Sequence, residues 1–205
     1  MTNQNAPSNP TLFSPNYAHE MCYPFITENA IEAMTWFGRA FHDAAQRETK
    51  QLSQSGFPDY APLPAVYLFR HAAELYLKGI VWNGDKILAF LNMPTSGAPQ
   101  PDKAKHDLGS WLPYLDHIMQ GLSLTWNQEA FGSYADAKAI LKELDAVDPG
   151  SFSFRYPITR QGKASHASSF GFNVFDMAKV LDPVLEGLWD LAGEIENALE
   201  HHMMV

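Results

Sequence analysis

The chain has 205 residues, 46% of them hydrophobic, enough to bury a real core within one domain. Its formal charge of −9 repels phosphate backbones at long range, so contact with nucleic acid would require a local basic patch. A single cysteine, Cys22, excludes an internal disulfide and a thiolate metal cluster, and no apolar run reaches the roughly eighteen residues of a membrane helix.

Residues 1–25 are rich in Asn, Pro and Ser and read as a loosely held arm, which Phe13, Tyr17, Tyr23 and Phe25 could dock onto the body. The arm lacks the charged and apolar regions of a signal peptide, so a soluble, cytoplasmic protein is expected. Residues 26–205 read as a single helical bundle domain. Thr27 is a suitable N-cap for a first helix, whose stripe is Ala30, Met34, Phe37, Phe41 and Ala44 and which ends near "SQSGFP". Pro58, Pro62 and Pro64 form an extended lead into a second helix from about Ala65 to Leu91, with Pro64 suited to its first turn.

"MPTSGAPQPDKAK" follows, too rich in proline for regular structure, and reads as an exposed loop. A third helix carries Leu108, Trp111, Leu112, Leu115, Met119 and Leu122 on one side, with Asp107 as its N-cap and Pro113 close to its start. A fourth carries Phe131, Tyr134, Ala137, Ile140, Leu141 and Leu144, and "DPG" stops it. Strict alternation of Phe152, Phe154 and Tyr156 with Ser151, Ser153 and Arg155 predicts a short strand or hairpin. From about Asn173 or Asp176 a last helix buries Leu181, Val184, Leu185, Leu188 and Leu191, with a kink expected at Pro183.

The second helix contains "LFRHAAELYLKG", in which Arg70, His71, Glu74 and Lys78 share roughly 100° of the circumference. Apolar residues fill an arc of more than about 200°, the pattern of a helix surrounded by neighbours. Its narrow charged strip can face water, tied by pairs four residues apart, or face a groove where cations backed by a carboxylate suit an anionic group.

The ordered segments "LFRHAAELYLKGIV", "KHDLGSWLPYL" and "SFSFRYP", followed by a long final helix, resemble the HEPN superfamily. The likeness is to its bacterial branch, with Arg-His, Glu and Lys on the second helix and a Phe-Arg-Tyr-Pro turn, and it spans about Ala65 to Leu199. It implies an all-α bundle of four or five helices, frequently a homodimer, in proteins linked to RNA cleavage, toxin and antitoxin pairs or antiviral defence. Active members carry an Arg followed closely by a His on or beside the last helix, two copies meeting across the dimer. "RQGKASH" offers Arg160 and His166 at matching spacing, although Gly162 and the serines place them in a loop rather than in a helix.

Metal-independent RNA cleavage needs a base for the 2′-hydroxyl proton and a cation on the phosphate, roles that suit histidine and arginine. No Asp or Glu occurs from Pro149 through Phe175, while Arg155, Arg160, Lys163 and His166 all do, so this is a locally basic segment in an acidic chain. The expected arrangement sets the charged edge of the second helix against the "FRYP" turn, with Glu74 holding Arg155 or Arg70 and with His106 and Tyr156 in the same polar set.

Two functional classes follow: an endoribonuclease, or a non-catalytic module binding a nucleotide or a protein partner such as an antitoxin. "HDLG" at His106, with His71 and the His42-Asp43 pair, also evokes HD-type metal phosphohydrolases, but a loop rather than an apolar helix precedes it. Phosphate loops, dinucleotide fingerprints and zinc spacings do not occur, so neither cofactor nor metal is expected.

Overall fold

The computed structural model describes residues 31–203, apart from 32, 55–57, 130, 160 and 166–170. Five α-helices account for most of them: α1 (Met34–Leu52), α2 (Leu63–Phe90), α3 (Leu112–Gly121), α4 (Tyr134–Val147) and α5 (Val174–Met203). The fold is an all-α bundle. The arm over residues 1–25 and the cap at Thr27 lie outside the described residues.

Helix α2 starts at a favourable place for a proline, with Pro64 in its first turn where an amide hydrogen has no helical partner. Its wide apolar arc is then matched by neighbours: α1 and α5 pack along it and α3 covers its later turns. Phe69, Ala72, Ala73, Tyr76, Leu77 and Ile80 are all essentially inaccessible. Arg70, Glu74 and Lys78 are buried with them.

Helix α1 does not use the stripe that hydrophobicity selects. It buries Thr35, Gly38, His42 and Ala45, one position beyond Met34, Phe37, Phe41 and Ala44, and Phe37 is 40% exposed. The cause is close backbone approach. A Cβ on Gly38 would stand 2.9 Å from the Tyr76 ring, and one on Gly79 would stand 2.6 Å from Thr35 Cγ2. Small residues occupy the seam because larger ones would hold the helices apart, while Met34 and Phe41 flank it, half-buried against the core.

A 3₁₀ turn at Gly109–Trp111 leads into α3, whose first turn holds Pro113, so the proline sits at the start and bends nothing. Asp107 is not its cap. The residue before α3 is Trp111, and the amides of Leu108 and Gly109 are taken by Asp145 of α4 instead. Helix α4 opens with a capping box in which Ser133 and Asp136 satisfy each other's backbone amides, leaving Phe131 ahead of the helix. Helix α5 remains one element across Pro183, and it buries Leu181, Val184, Leu185, Leu188 and Leu191 as their spacing predicts. Between α2 and α3 the chain is irregular and mostly exposed, pinned where Asp85 accepts from the Ser96 amide and hydroxyl and where Trp82 Nε1 donates to the Pro99 carbonyl.

The strand or hairpin expected before the last helix is not formed: among the described residues there is no strand. Residues 151–156 close on themselves, with the amides of Arg155 and Tyr156 both donating to the Phe152 carbonyl at 3.1 Å. One isolated bridge pairs Ile158 with Ala164. The alternation is real but records only an inward Phe154, 8% exposed, beside an outward Arg155 and Tyr156. Among the described residues no helix is long and apolar enough to cross a membrane.

Candidate functional site

The charged strip of α2 faces the C-terminal end of α4 and the two loops that flank it. Arg70 is fully buried, and its guanidinium is almost completely used. Its Nε donates to the Asp148 carbonyl at 3.0 Å, Nη1 to Glu74 Oε2 at 3.1 Å, and Nη2 to the His106 carbonyl at 2.7 Å. Asp145 Oδ1 lies a further 3.5 Å from Nη2, and Asp148 Oδ2 lies 3.5 Å from Nε. Three carboxylates and two carbonyls thus surround one cation, satisfying its planar fork of donors out of water.

The two aspartates have backbone duties as well. Asp145 accepts from Leu108 N at 2.7 Å and Gly109 N at 3.0 Å, fixing the turn that starts α3. Asp148 accepts from Phe152 N at 2.8 Å and Ser153 N at 2.6 Å, fixing the turn after α4. Gly150 and Ser151 make that turn possible by adopting φ of 89° and 59°, the left-handed region that glycine tolerates best. Arg70 therefore clamps two loops through the acids that shape them.

Glu74 links Arg70 to the surface. Its Oε1 accepts from Lys78 Nζ at 2.7 Å and from His106 Nδ1 at 2.8 Å. Burial alone would raise this carboxyl's pKa, but the ammonium of Lys78 and the His106 ring outweigh it and hold the value below the ordinary range. Glu74 is thus ionised. Lys78 is itself nearly buried, its Nζ 5.6 Å from the Trp111 ring centroid, whereas the His106 side chain is 63% exposed.

A second arrangement lies beside the first and is open to solvent. Arg155 does not reach Glu74. Its Nε donates to the Ser151 carbonyl at 2.8 Å, Nη2 donates to the same oxygen, and its guanidinium carbon lies 5.3 Å from the Tyr67 ring and 5.6 Å from the Tyr156 ring. Tyr67 in turn stacks on His71, with ring centroids 5.5 Å apart and planes 11° from parallel, and Phe41 meets His71 edge-on at 4.5 Å. Partial burial lowers the pKa of His71, and the nearby Arg155, Arg70 and Lys78 add to this against the pull of Glu74, so its ring is neutral near pH 7. The result is a ladder of Tyr156, Arg155, Tyr67 and His71.

The sequence-predicted set thus divides. Arg70, Glu74, Lys78 and His106 form one connected network, His71, Arg155 and Tyr156 form the ladder, and Arg160 and His166 lie outside the described residues. Glu74 holds Arg70, as one of the two expected arrangements has it. The HD-type arrangement gains no geometric support: His42 is buried against Asp182 at 2.6 Å rather than beside Asp43, and His106 Nδ1 is engaged by Glu74. Among the described residues no three His, Cys, Asp or Glu side chains converge as metal ligands.

Asp145 and Asp148, which complete the network, are absent from the sequence reading. A signal for them exists: acids in the last turn of a helix oppose its dipole, so two at the end of α4 require some other stabilising partner. Beyond the geometry, no protein-family model matches the chain, and neither a curated protein nor a solved structure does.

Proposed function

We propose that the chain is a HEPN-like helical protein, acting as a homodimer, that binds RNA on the ladder of Tyr156, Arg155, Tyr67 and His71 and cleaves it without metal, as a toxin or defence component would. The observation that carries this reading is the exposed guanidinium held between two tyrosine rings in an otherwise acidic chain. Stacked aromatic faces accept nucleobases of any sequence, and an arginine among them supplies phosphate attraction. The segment that follows, through Arg160, Lys163 and His166, extends the positive charge along the chain.

Arg70 has a separate role in this reading. Its donors are spent on protein partners, so it positions the turn that presents Arg155 and does not contact substrate. Binding and cleavage of a fluorescent single-stranded RNA test the proposal. Arg155→Ala removes the cation that attracts phosphate and should weaken binding about 10-fold, and affinity should fall steeply with added salt. Undiminished binding by that variant, or binding insensitive to salt, would overturn the RNA reading.

A second reading rests on a groove of about 360 Å³ beside the same turn, lined by Val66, Ile140, Leu144, Phe154, Phe172 and Leu181 among others. An apolar groove of this kind suits a non-catalytic module that captures a protein partner such as an antitoxin. Binding through it would change little with salt, which separates the two readings in one titration.

A further inference from the structure

From the geometry of His106 we infer that this exposed histidine, oriented by buried Glu74, is a general base of the proposed RNA cleavage. The inference rests on the RNA reading above and adds to it a residue that the Arg160 and His166 spacing does not supply. It begins from the protonation state of Glu74, whose carboxylate already accepts from Lys78 at 2.7 Å and Arg70 at 3.1 Å. An ionised carboxylate only accepts hydrogen bonds, so the 2.8 Å contact with His106 Nδ1 requires the proton to be on Nδ1. In the neutral ring the lone pair is then on Nε2, and the side chain is 63% exposed.

Such a pair differs from an ordinary surface histidine in that its tautomer is fixed by a carboxylate that is itself anchored on a central helix. Lys103 and Lys105 precede His106 on the same exposed loop and offer cations to a phosphodiester. The backbone is fixed too, since the His106 carbonyl accepts from Arg70 at 2.7 Å. A latch that only had to hold the loop could do so with the carbonyl alone.

In the reaction, His106 Nε2 removes the proton of the RNA 2′-hydroxyl, the 2′-oxygen bonds to phosphorus, and the bond from phosphorus to the 5′-oxygen breaks. The departing 5′-oxygen takes a proton from water, and the resulting hydroxide is neutralised by the proton held on His106. The products are a 2′,3′-cyclic phosphate and a 5′-hydroxyl end. Glu74 is a positioning residue, never in contact with substrate.

The test uses the full chain and a fluorogenic RNA. His106→Gln keeps an amide donor for Glu74 but has no basic nitrogen, so it should melt like the wild type and lose at least about 100-fold in cleavage rate. His106→Ala should recover part of its rate when imidazole is added, which a purely structural role would not produce. Nitrogen-15 spectra of labelled histidines should show His106 protonated at Nδ1. Cleavage by His106→Gln within about three-fold of wild type, with loss in His166→Ala instead, would overturn this inference and leave the RNA reading standing. A wild-type chain that leaves the RNA intact would remove both.

Discussion

Two ionic regions of this molecule use the same residue types to opposite ends. Around Arg70, three carboxylates and a lysine are enclosed between α2, α4 and the loops on either side. Between α1 and α5, Arg39 forks onto Glu186 at 2.9 and 2.8 Å and contacts Asp43 at 2.9 Å, while His42 and Gln46 share Asp182, each at 2.6 Å. Arg39 and its partners keep about a third of their side-chain surface in water, and Arg70 keeps none. A charge with no access to water depends on every partner, whereas one at the rim exchanges a lost partner for solvent.

The largest expected effect follows directly. Arg70→Ala leaves Glu74, Asp145 and Asp148 without their shared cation and should cost about 3–5 kcal/mol in a urea melt. Because the two flanking turns hang on those acids, the loss should appear equally at Trp111 and at the 148–155 turn, which amide exchange would resolve. An Arg70→Ala chain as stable as wild type would mean that the network contributes no net stability.

Acid should separate the regions next. Glu74 has a lowered folded-state pKa, so its contribution is present above the ordinary carboxyl value of 4.5 and is lost as pH falls through the folded value. His71 acts in the same direction, since a neutral half-buried ring resists protonation that the unfolded chain accepts below 6.5. The melting temperature should therefore fall with acidification, first below about pH 6.5 and again below about pH 4.5. Glu74→Gln should lower stability at neutral pH by roughly 1–3 kcal/mol and flatten the lower of the two steps. The smallest effect belongs to the rim: Arg39→Ala should cost at most about 1 kcal/mol, and less in high salt.

The comparison also explains what was legible in the sequence. The width of the apolar arc on α2 was enough to predict a central helix with a narrow charged strip, because burial on most sides leaves that trace in a single segment. Which acids would meet that strip depended on how α4 ends, and Asp145 and Asp148 lie at separations of 75 and 78 residues from Arg70. No local period encodes such a pairing. Hydrophobicity places the buried face of α1 one position off for a related reason: that face is set by what Tyr76 and Gly79 on α2 allow, not by the helix's own largest side chains. At Phe152 to Tyr156 a period of two implied a strand, but Asp148 takes the Phe152 and Ser153 amides that a strand would need for pairing.

Arg70 binds groups that lie 36, 75 and 78 residues farther along the chain. Its side chain exchanges water for these distant partners only once α2, the loop before α3 and the end of α4 have all arrived, so these contacts are expected to form late in assembly. Substitution there should accelerate unfolding far more than it slows refolding, giving the finished bundle its persistence rather than its speed of formation.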